Sequence, residues 1–406
     1  MAHADSTLDP LVKAFAALSL PNAIPTFDSV GTGTKGVVIF GCGQLGTFAL
    51  DGATRAGLKV FAFADNNQAN WGMLIAGIEV MSPQDAVNKY NNDAFFVVAV
   101  YNGTMPRQQL ADLNTKCIVP YPLFFWRFSQ HMPFEYRLEL PNRVIDDPGA
   151  IRAGYALLSD ARSRVEFAAQ IQWRCSLDYR CLPKADPPGE MYYAPDLVFL
   201  NDHEVLADCG AFDGDSIRMF LETTDGRFSH IYAIEPDAKN LVGLEKYLAS
   251  LSSDVAQRIS VLSFGLSDRE EVVSFDASGT VGSRVVDGAG SDSIQCRRLD
   301  DILDGPKPTL IKMDIEGAEP RAIVGTAATI CASRPILAIC AYHKCEHLWT
   351  LPALIKNALP EYEIFLRRYA EECWETVYYA IPPERLLPVG SKLHEADRAT
   401  MRQGDA

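Results

Sequence analysis

An α/β fold with two Rossmann-like units in series is what this sequence predicts, and three observations carry the prediction. The apolar run "GVVIF" passes directly into a glycine turn and a helix-like segment, and the run beginning at Val205 does the same into "CGAFDGD". The later strand-like runs alternate with helical segments until the last two, which are separated only by "AEECW". Strand and helix alternation implies a mostly parallel sheet, and the short final connection implies an antiparallel C-terminal hairpin on its edge.

At 406 residues the chain exceeds one ordinary core, because cores stop growing near roughly 250 to 300 residues. A formal charge of -15, with no basic stripe to override it, repels phosphate backbones and anionic lipid and so argues against a nucleic-acid partner. The longest apolar runs, Phe95 to Val100 and Ile336 to Ala341, fall far short of the roughly 20 residues of a membrane helix. No membrane association is expected. The opening "MAHADSTLDP" has no basic lead into an apolar segment, which makes the cytoplasm the expected compartment. Ten scattered cysteines without a CxxC pair read as reduced, mostly buried thiols.

Taken in order, residues 1–34 form an N-terminal helical lead and 35–122 a Rossmann-like nucleotide-binding domain. In the latter, Gly41, Gly43 and Gly46 make the strand, turn and helix start that present backbone N–H groups to a phosphate. Asp65 ends the next strand, 24 residues beyond Gly41, where a ribose-binding acid is expected. A nucleotide or nucleotide-sugar is the ligand this pattern suggests; the competing reading is that the glycines only let a helix pack against the sheet. Residues 123–200 form a helical connector, with Val165, Ala168 and Ile171 at helical spacing and "LPKADPPGE" as the breaker.

The second unit, 201–384, spells its loop differently. Asp208, Gly210 and Gly214 are joined by Ala211, Asp213 and Asp215, and the following strand ends at Glu235 and Pro236. Carboxylates oppose a pyrophosphate but suit a ligand with a sulfonium and an ammonium group, such as S-adenosyl-L-methionine. An ionised carboxylate at Glu235 offers two acceptor oxygens to a ribose. Strands at 259–268, 309–319 and 335–342 and the hairpin complete the unit, and 385–406 is a polar tail.

On the stretches "DCGAFDGDS", "AIEPD", "GLSD", "RRLDDIL" and above all "IKMDIEGAE", the chain resembles the FkbM family of S-adenosylmethionine-dependent methyltransferases from residue 195 to 383. The resemblance implies that Asp208, Gly210 and Gly214 line the methionine part of the cofactor, that Glu235 holds the ribose, and that Leu266 and Asp268 flank the adenine. Gly210 serving only the turn and Asp268 only capping a helix are the structural alternatives.

Asp314 and Glu316 fall at the carboxyl end of a strand, where open α/β sheets place ligands, and alternation would put them on one side. So close together, they could share a proton or bind a divalent cation. Glu319 reads as the acidic first turn of a helix. In "CAYHKCEH", eight contiguous residues leaving a strand cannot easily wrap a closed zinc tetrahedron. No metal ligand set is therefore assigned; Cys340 and Cys345 read as packing thiols and His347 as part of the next helix. His343, at the strand tip beside Asp314, is the candidate base, with an ordinary pKa near 6.5.

The expected function is S-adenosylmethionine-dependent O-methylation of a hydroxyl on a sugar, glycan precursor or related metabolite, with His343, Asp314 and Glu316 catalytic. The rivals are an NAD-dependent dehydrogenase or epimerase using the first unit, against which no Tyr-x-x-x-Lys relay is found near residues 100 to 140, and a non-catalytic nucleotide sensor. A homo-oligomer is compatible with the sequence. The hairpin at 362–381 and the loop at 287–295 are expected to border the acceptor pocket.

Overall fold

The computed structural model describes residues 9–18, 33–132, 139–276, 284–285 and 292–387. Much of the N-terminal lead beyond the helix Pro10–Leu18, residues 287–291 of the acidic loop, and the tail from 388 onward lie outside the described residues. The chain divides into two compact units: Met1–Pro148 with Phe167–Lys184 and Ala370–Trp374, and Gly149–Glu166 with Ala185–Tyr369 and Glu375–Ala406. No helix among the described residues is long and apolar enough to cross a membrane. Among them no cysteine forms a disulfide, and six of the ten are buried.

The first unit holds β1 (Gly36–Phe40), β2 (Val60–Ala64), β3 (Leu74–Ile75), β4 (Ile78–Met81), β5 (Ala94–Val98) and β6 (Ile118–Pro120). Their order is β3-β4-β2-β1-β5-β6, parallel except for the β3–β4 pair. Both β1 and β5 are buried along their whole length, which is why they read as unbroken apolar runs and not as alternating ones. The chain builds outward from β1 through β2 and then crosses to β5, so the sheet switches direction between β1 and β5.

The first glycine turn sits at that switch. Gly41 has φ +97°, and a Cβ there would lie 2.5 Å from Val100 Cγ1. A Cβ on Gly46, in the helix Gln44–Arg55, would meet the Gly41 carbonyl oxygen at 2.0 Å, whereas Gly43 has no atom within 4 Å of that position. Two of the three glycines are thus required by close approach.

The second unit contains β7 (Val205–Cys209), β8 (His230–Ile234), β9 (Ile259–Leu262), β10 (Gly265–Leu266), β11 (Glu271–Asp276), β12 (Arg284–Val285), β13 (Asp292–Arg297), β14 (Leu310–Met313), β15 (Ile336–Cys340), β16 (Glu363–Arg368) and β17 (Thr376–Ile381). Seven of them form one sheet in the order β16-β17-β15-β14-β7-β8-β9, and β10-β13-β11-β12 form a smaller sheet. The large sheet is parallel from β9 to β15, and β17 runs antiparallel to both β15 and β16, as the short connection implied.

Three strands are shorter than the apolar runs suggested. The run 259–268 splits into β9 in the large sheet and β10 in the small one; the missing Cβ of Gly265, which would stand 2.6 Å from Cys296 Sγ, lets β13 close against it. The run 309–319 ends at Met313 because Glu316 and Gly317 both take positive φ. The run 335–342 ends at Cys340.

The large sheet switches direction between β7 and β14, and one polar pair bridges that seam. Asp208 and Lys312 are register partners across it, with Lys312 Nζ 2.9 Å from Asp208 Oδ1. Both side chains are buried. Lys312 also donates to the Gly210 carbonyl at 2.6 Å, and Ser216 Oγ donates to Asp208 Oδ2 at 2.6 Å. Burial opposes the Lys312 charge, but the carboxylates of Asp208, Asp314 and Asp215 outweigh it and hold the ammonium protonated.

Two outcomes follow from this packing. In urea unfolding, Gly46→Ala should lose about 2 kcal/mol or more, from the clash with the Gly41 carbonyl, whereas Gly43→Ala should stay within about 0.5 kcal/mol of the parent. Lys312→Met should cost about 3 to 5 kcal/mol by stranding a buried carboxylate, and adding Asp208→Asn should recover part of that loss.

Candidate active site

The loop after β7 is built from backbone contacts. The N–H groups of Gly210 and Ala211 both donate to the Ile234 carbonyl, at 2.9 and 3.0 Å. Gly210 has φ +84°, and a Cβ on it would lie 1.9 Å from the Asp314 carbonyl oxygen, so the loops after β7 and β14 touch at the switch point. Phe212 also sits at positive φ, 47°, and its N–H donates to Glu235 Oε2 at 3.0 Å. Gly214, at φ 90°, caps the helix Asp215–Thr223, and a Cβ there would strike the Tyr247 ring.

These contacts change the reading of the two acids expected to touch a cofactor. Asp208 lies beneath the loop, bound to Lys312 and Ser216, so it does not present a bare carboxylate to a cation. Its charge is also offset by the Lys312 ammonium, so Asp208 adds little to the negative field of the turn. Glu235 is buried, and besides the Phe212 N–H it accepts from Asp237 N at 2.8 Å and Asn240 Nδ2 at 3.2 Å. Burial pushes its carboxyl up, against the pull of these donors. Both acids shape the loop before any ligand is considered.

The other expected residues are spread more widely. Asp215 is exposed and accepts from the Ser216 N–H, and Asp213 lies 3.5 Å from Arg218. Pro236 follows Glu235 at the end of β8. Leu266 is buried in β10 of the small sheet, outside the large one. Asp268 caps no helix: it accepts from Arg321 Nε at 3.0 Å and from Ser267 Oγ at 3.1 Å.

In the first unit, Asp65 lies after β2 as expected, but its oxygens answer to its own loop. Oδ2 accepts from Cys42 N and Cys42 Sγ at 3.1 and 3.0 Å, and Oδ1 from Asn67 N at 2.7 Å. Burial and the nearby carboxylate raise the Cys42 thiol to about 11. The expected ribose acid therefore serves to tie the glycine turn to the following loop.

The groups after β14 and β15 do converge. His343 is fully buried, and its Nε2 lies 3.0 Å from Asp314 Oδ1 and 3.7 Å from Glu316 Oε1. One ligand atom from each of the three residues falls within 4.8 Å of the others. Strand alternation is not what brings Asp314 and Glu316 together, since the strand has ended; the left-handed turn at Glu316, φ 55°, does it.

Glu319 is more than the acidic start of a helix. Its Oε1 lies 2.7 Å from His343 Nδ1 and accepts from the Ile315 and Gly317 N–H groups at 3.1 and 3.3 Å, while Oε2 is 3.3 Å from His347 Nδ1. His347 opens the helix His347–Ala358, as expected. Cys340 and Cys345 are buried, and Cys340 Sγ reaches the Tyr192 hydroxyl at 3.9 Å. Tyr192 completes the cluster, donating to Asp314 Oδ2 at 2.7 Å, with Tyr342 Oη 3.3 Å from Oδ1.

Burial alone would depress the His343 pKa, but Glu319, Glu316 and Asp314 overcome it and raise it well above 6.5. The same contacts hold Asp314 and Glu319 below the ordinary carboxylate range despite burial. This corrects the expectation of an imidazole near its ordinary value: with no cation beside it, the surrounding carboxylates favour the protonated ring.

Sequence reasoning missed Lys312 and Tyr192, and it gave Glu319 only a helix-start role. A lone lysine within the apolar "LIKM" was a usable signal, because such a charge must be paired. Tyr192 lies 122 residues before Asp314 and had none.

Residues 208–370 match the family model described as the methyltransferase FkbM domain. No curated protein matches the chain. Among solved structures, the chain is similar to methyltransferase FkbM from Methylobacillus flagellatus KT, with a TM-score of 0.74 and 24% identity over 92% of this chain and 98% of that one. A precorrin-6y C5,15-methyltransferase from Geobacter metallireducens GS-15 also matches, at a TM-score of 0.29 and 13% identity over 45% of this chain and 82% of that one. The first likeness shows a shared fold across nearly the whole chain.

Proposed function

We propose that this protein is an S-adenosylmethionine-dependent methyltransferase acting on a hydroxyl of a sugar, glycan precursor or related metabolite. The observation that carries this reading is the meeting, within the matched domain, of the glycine loop after β7 and the carboxylate–imidazole cluster after β14 and β15. Open α/β sheets bind ligands in the crevice outside the carboxyl ends of their strands at such a switch point.

In this reading the 210–214 backbone receives the methionine end of the cofactor. Asp208 and Lys312 hold that backbone in place, and Glu235 offers its remaining acceptor capacity to the ribose hydroxyls. Leu266 supplies an apolar face for adenine, while Asp268 stays committed to Arg321. Methyl transfer is an in-line displacement on a sulfonium that already carries the driving force, so the protein's task is alignment and removal of one proton. Asp314, fixed by Tyr192 and set beside His343, is the group placed to accept a hydrogen bond from the acceptor hydroxyl.

A thermal-shift panel tests the cofactor. S-adenosylhomocysteine at about 100 times its Kd should stabilise the protein by about 2.7 kcal/mol and raise the midpoint by several degrees. Gly210→Ala, whose new Cβ would collide with the Asp314 carbonyl, should abolish that shift. A midpoint that rises with NAD and ignores S-adenosylhomocysteine would sink the proposal.

A further inference from the structure

Buried polar side-chain atoms nearly always have hydrogen-bond partners. His343 has one on a single side only. Its Nδ1 faces Glu319 Oε1 at 2.7 Å, and that oxygen is itself pinned by the N–H groups of Ile315 and Gly317. Its Nε2 is buried and, among the described residues, has no hydrogen-bond partner, although Asp314 Oδ1 is 3.0 Å away and Glu316 Oε1 3.7 Å. Proximity without hydrogen-bond alignment, between a ring nitrogen and two carboxylates, marks a position that calls for a cation.

The backbone around it is held in costly conformations. Glu316 and Tyr192 are both non-glycine residues at left-handed φ, 55° and 67°, and each such residue costs about 1 to 3 kcal/mol that the surroundings must offset. Glu316 delivers its carboxylate to the cluster, and Tyr192 steadies the outer oxygen of Asp314.

We propose that His343 Nε2 and one oxygen each from Asp314 and Glu316 bind a divalent transition-metal cation, with Glu319 as the carboxylate that orients the imidazole from behind. Metal-bound histidines commonly donate their other ring N–H to a carboxylate, which is the role Glu319 fills. One imidazole and two carboxylates form a mixed donor set that suits a first-row ion such as Mn2+, which takes oxygen ligands readily and accepts an imidazole as well. Three protein ligands leave coordination positions open, and the charge of three carboxylates is brought close to balance by a dication.

The inference rests on the methyl-transfer reading for its chemistry, but not for its test. An acceptor with two adjacent oxygens would occupy the open positions. Its coordinated hydroxyl releases its proton to solvent, the oxygen forms a bond to the methyl carbon, and the S–CH3 bond breaks with its electron pair moving to sulfur, leaving a neutral thioether.

Titration of the full-length protein with Mn2+, followed by loss of the free-ion electron paramagnetic resonance signal, should show one bound equivalent. Glu316→Gln, nearly isosteric, should weaken that binding at least tenfold, and Mn2+ should raise the thermal midpoint of the parent but not of the variant. S-adenosylhomocysteine binding, measured separately by calorimetry in both proteins, reports that the variant is folded. No Mn2+ binding at about 1 mM, a concentration that would register even a weak site, or equal binding by parent and variant, overturns the site while leaving the cofactor reading intact. Mn2+ binding without S-adenosylhomocysteine binding supports the site and overturns the methyl-transfer reading instead.

Discussion

The buried Lys312–Asp208 pair is the constraint on which the second unit depends. It joins β7 to β14 at the one place where a parallel sheet built outward in both directions leaves a crevice. A pure apolar contact there would hold the strands but not the loop. The lysine does both, because its ammonium reaches past the carboxylate to the Gly210 carbonyl and so fixes the first residue of the turn. Desolvating two charges is expensive, and the hydrogen bonds from Ser216 and to Gly210 are what make the arrangement tolerable.

From that seam the candidate site follows almost mechanically. The loop after β7 lies against the Asp314 backbone, and β15 is the next strand along, so His343 arrives beside Asp314. Glu319 then anchors the imidazole through a carboxylate that is itself held by two backbone N–H groups. Each layer is positioned by the one beneath it, with little left to the conformational freedom of individual side chains.

The sequence made the scaffold legible because its signals are local. A glycine between a buried strand and a helix reports a close backbone approach, and both turns bear this out at Gly41 and Gly210. Asp314 and His343 could be paired because each follows the carboxyl end of a strand in one parallel sheet. What the sequence concealed was tertiary. Asp208, Glu235 and Asp65 look like ligand contacts by spacing, yet their oxygens are already engaged by other groups of the protein. Glu319 satisfies a helix-start rule and a burial role at once, and only the fold distinguishes them. The run 259–268 shows no break by composition, since nothing in it announces that Gly265 will meet Cys296 in a different sheet.

The short segment Ala370–Trp374 has an effect on how this chain can be made. It belongs to the first compact unit, where the Thr104 N–H donates to Glu371 and Arg107 and the Tyr179 hydroxyl both reach Glu372. Synthesis proceeds from the N-terminus, and domains usually mature in that order. Here the earliest-made unit waits for five residues that follow most of the second unit in the chain. Until the ribosome has delivered them, Arg107 and Tyr179 lack the carboxylate that unites them, so both halves of the protein reach their final form late and nearly together.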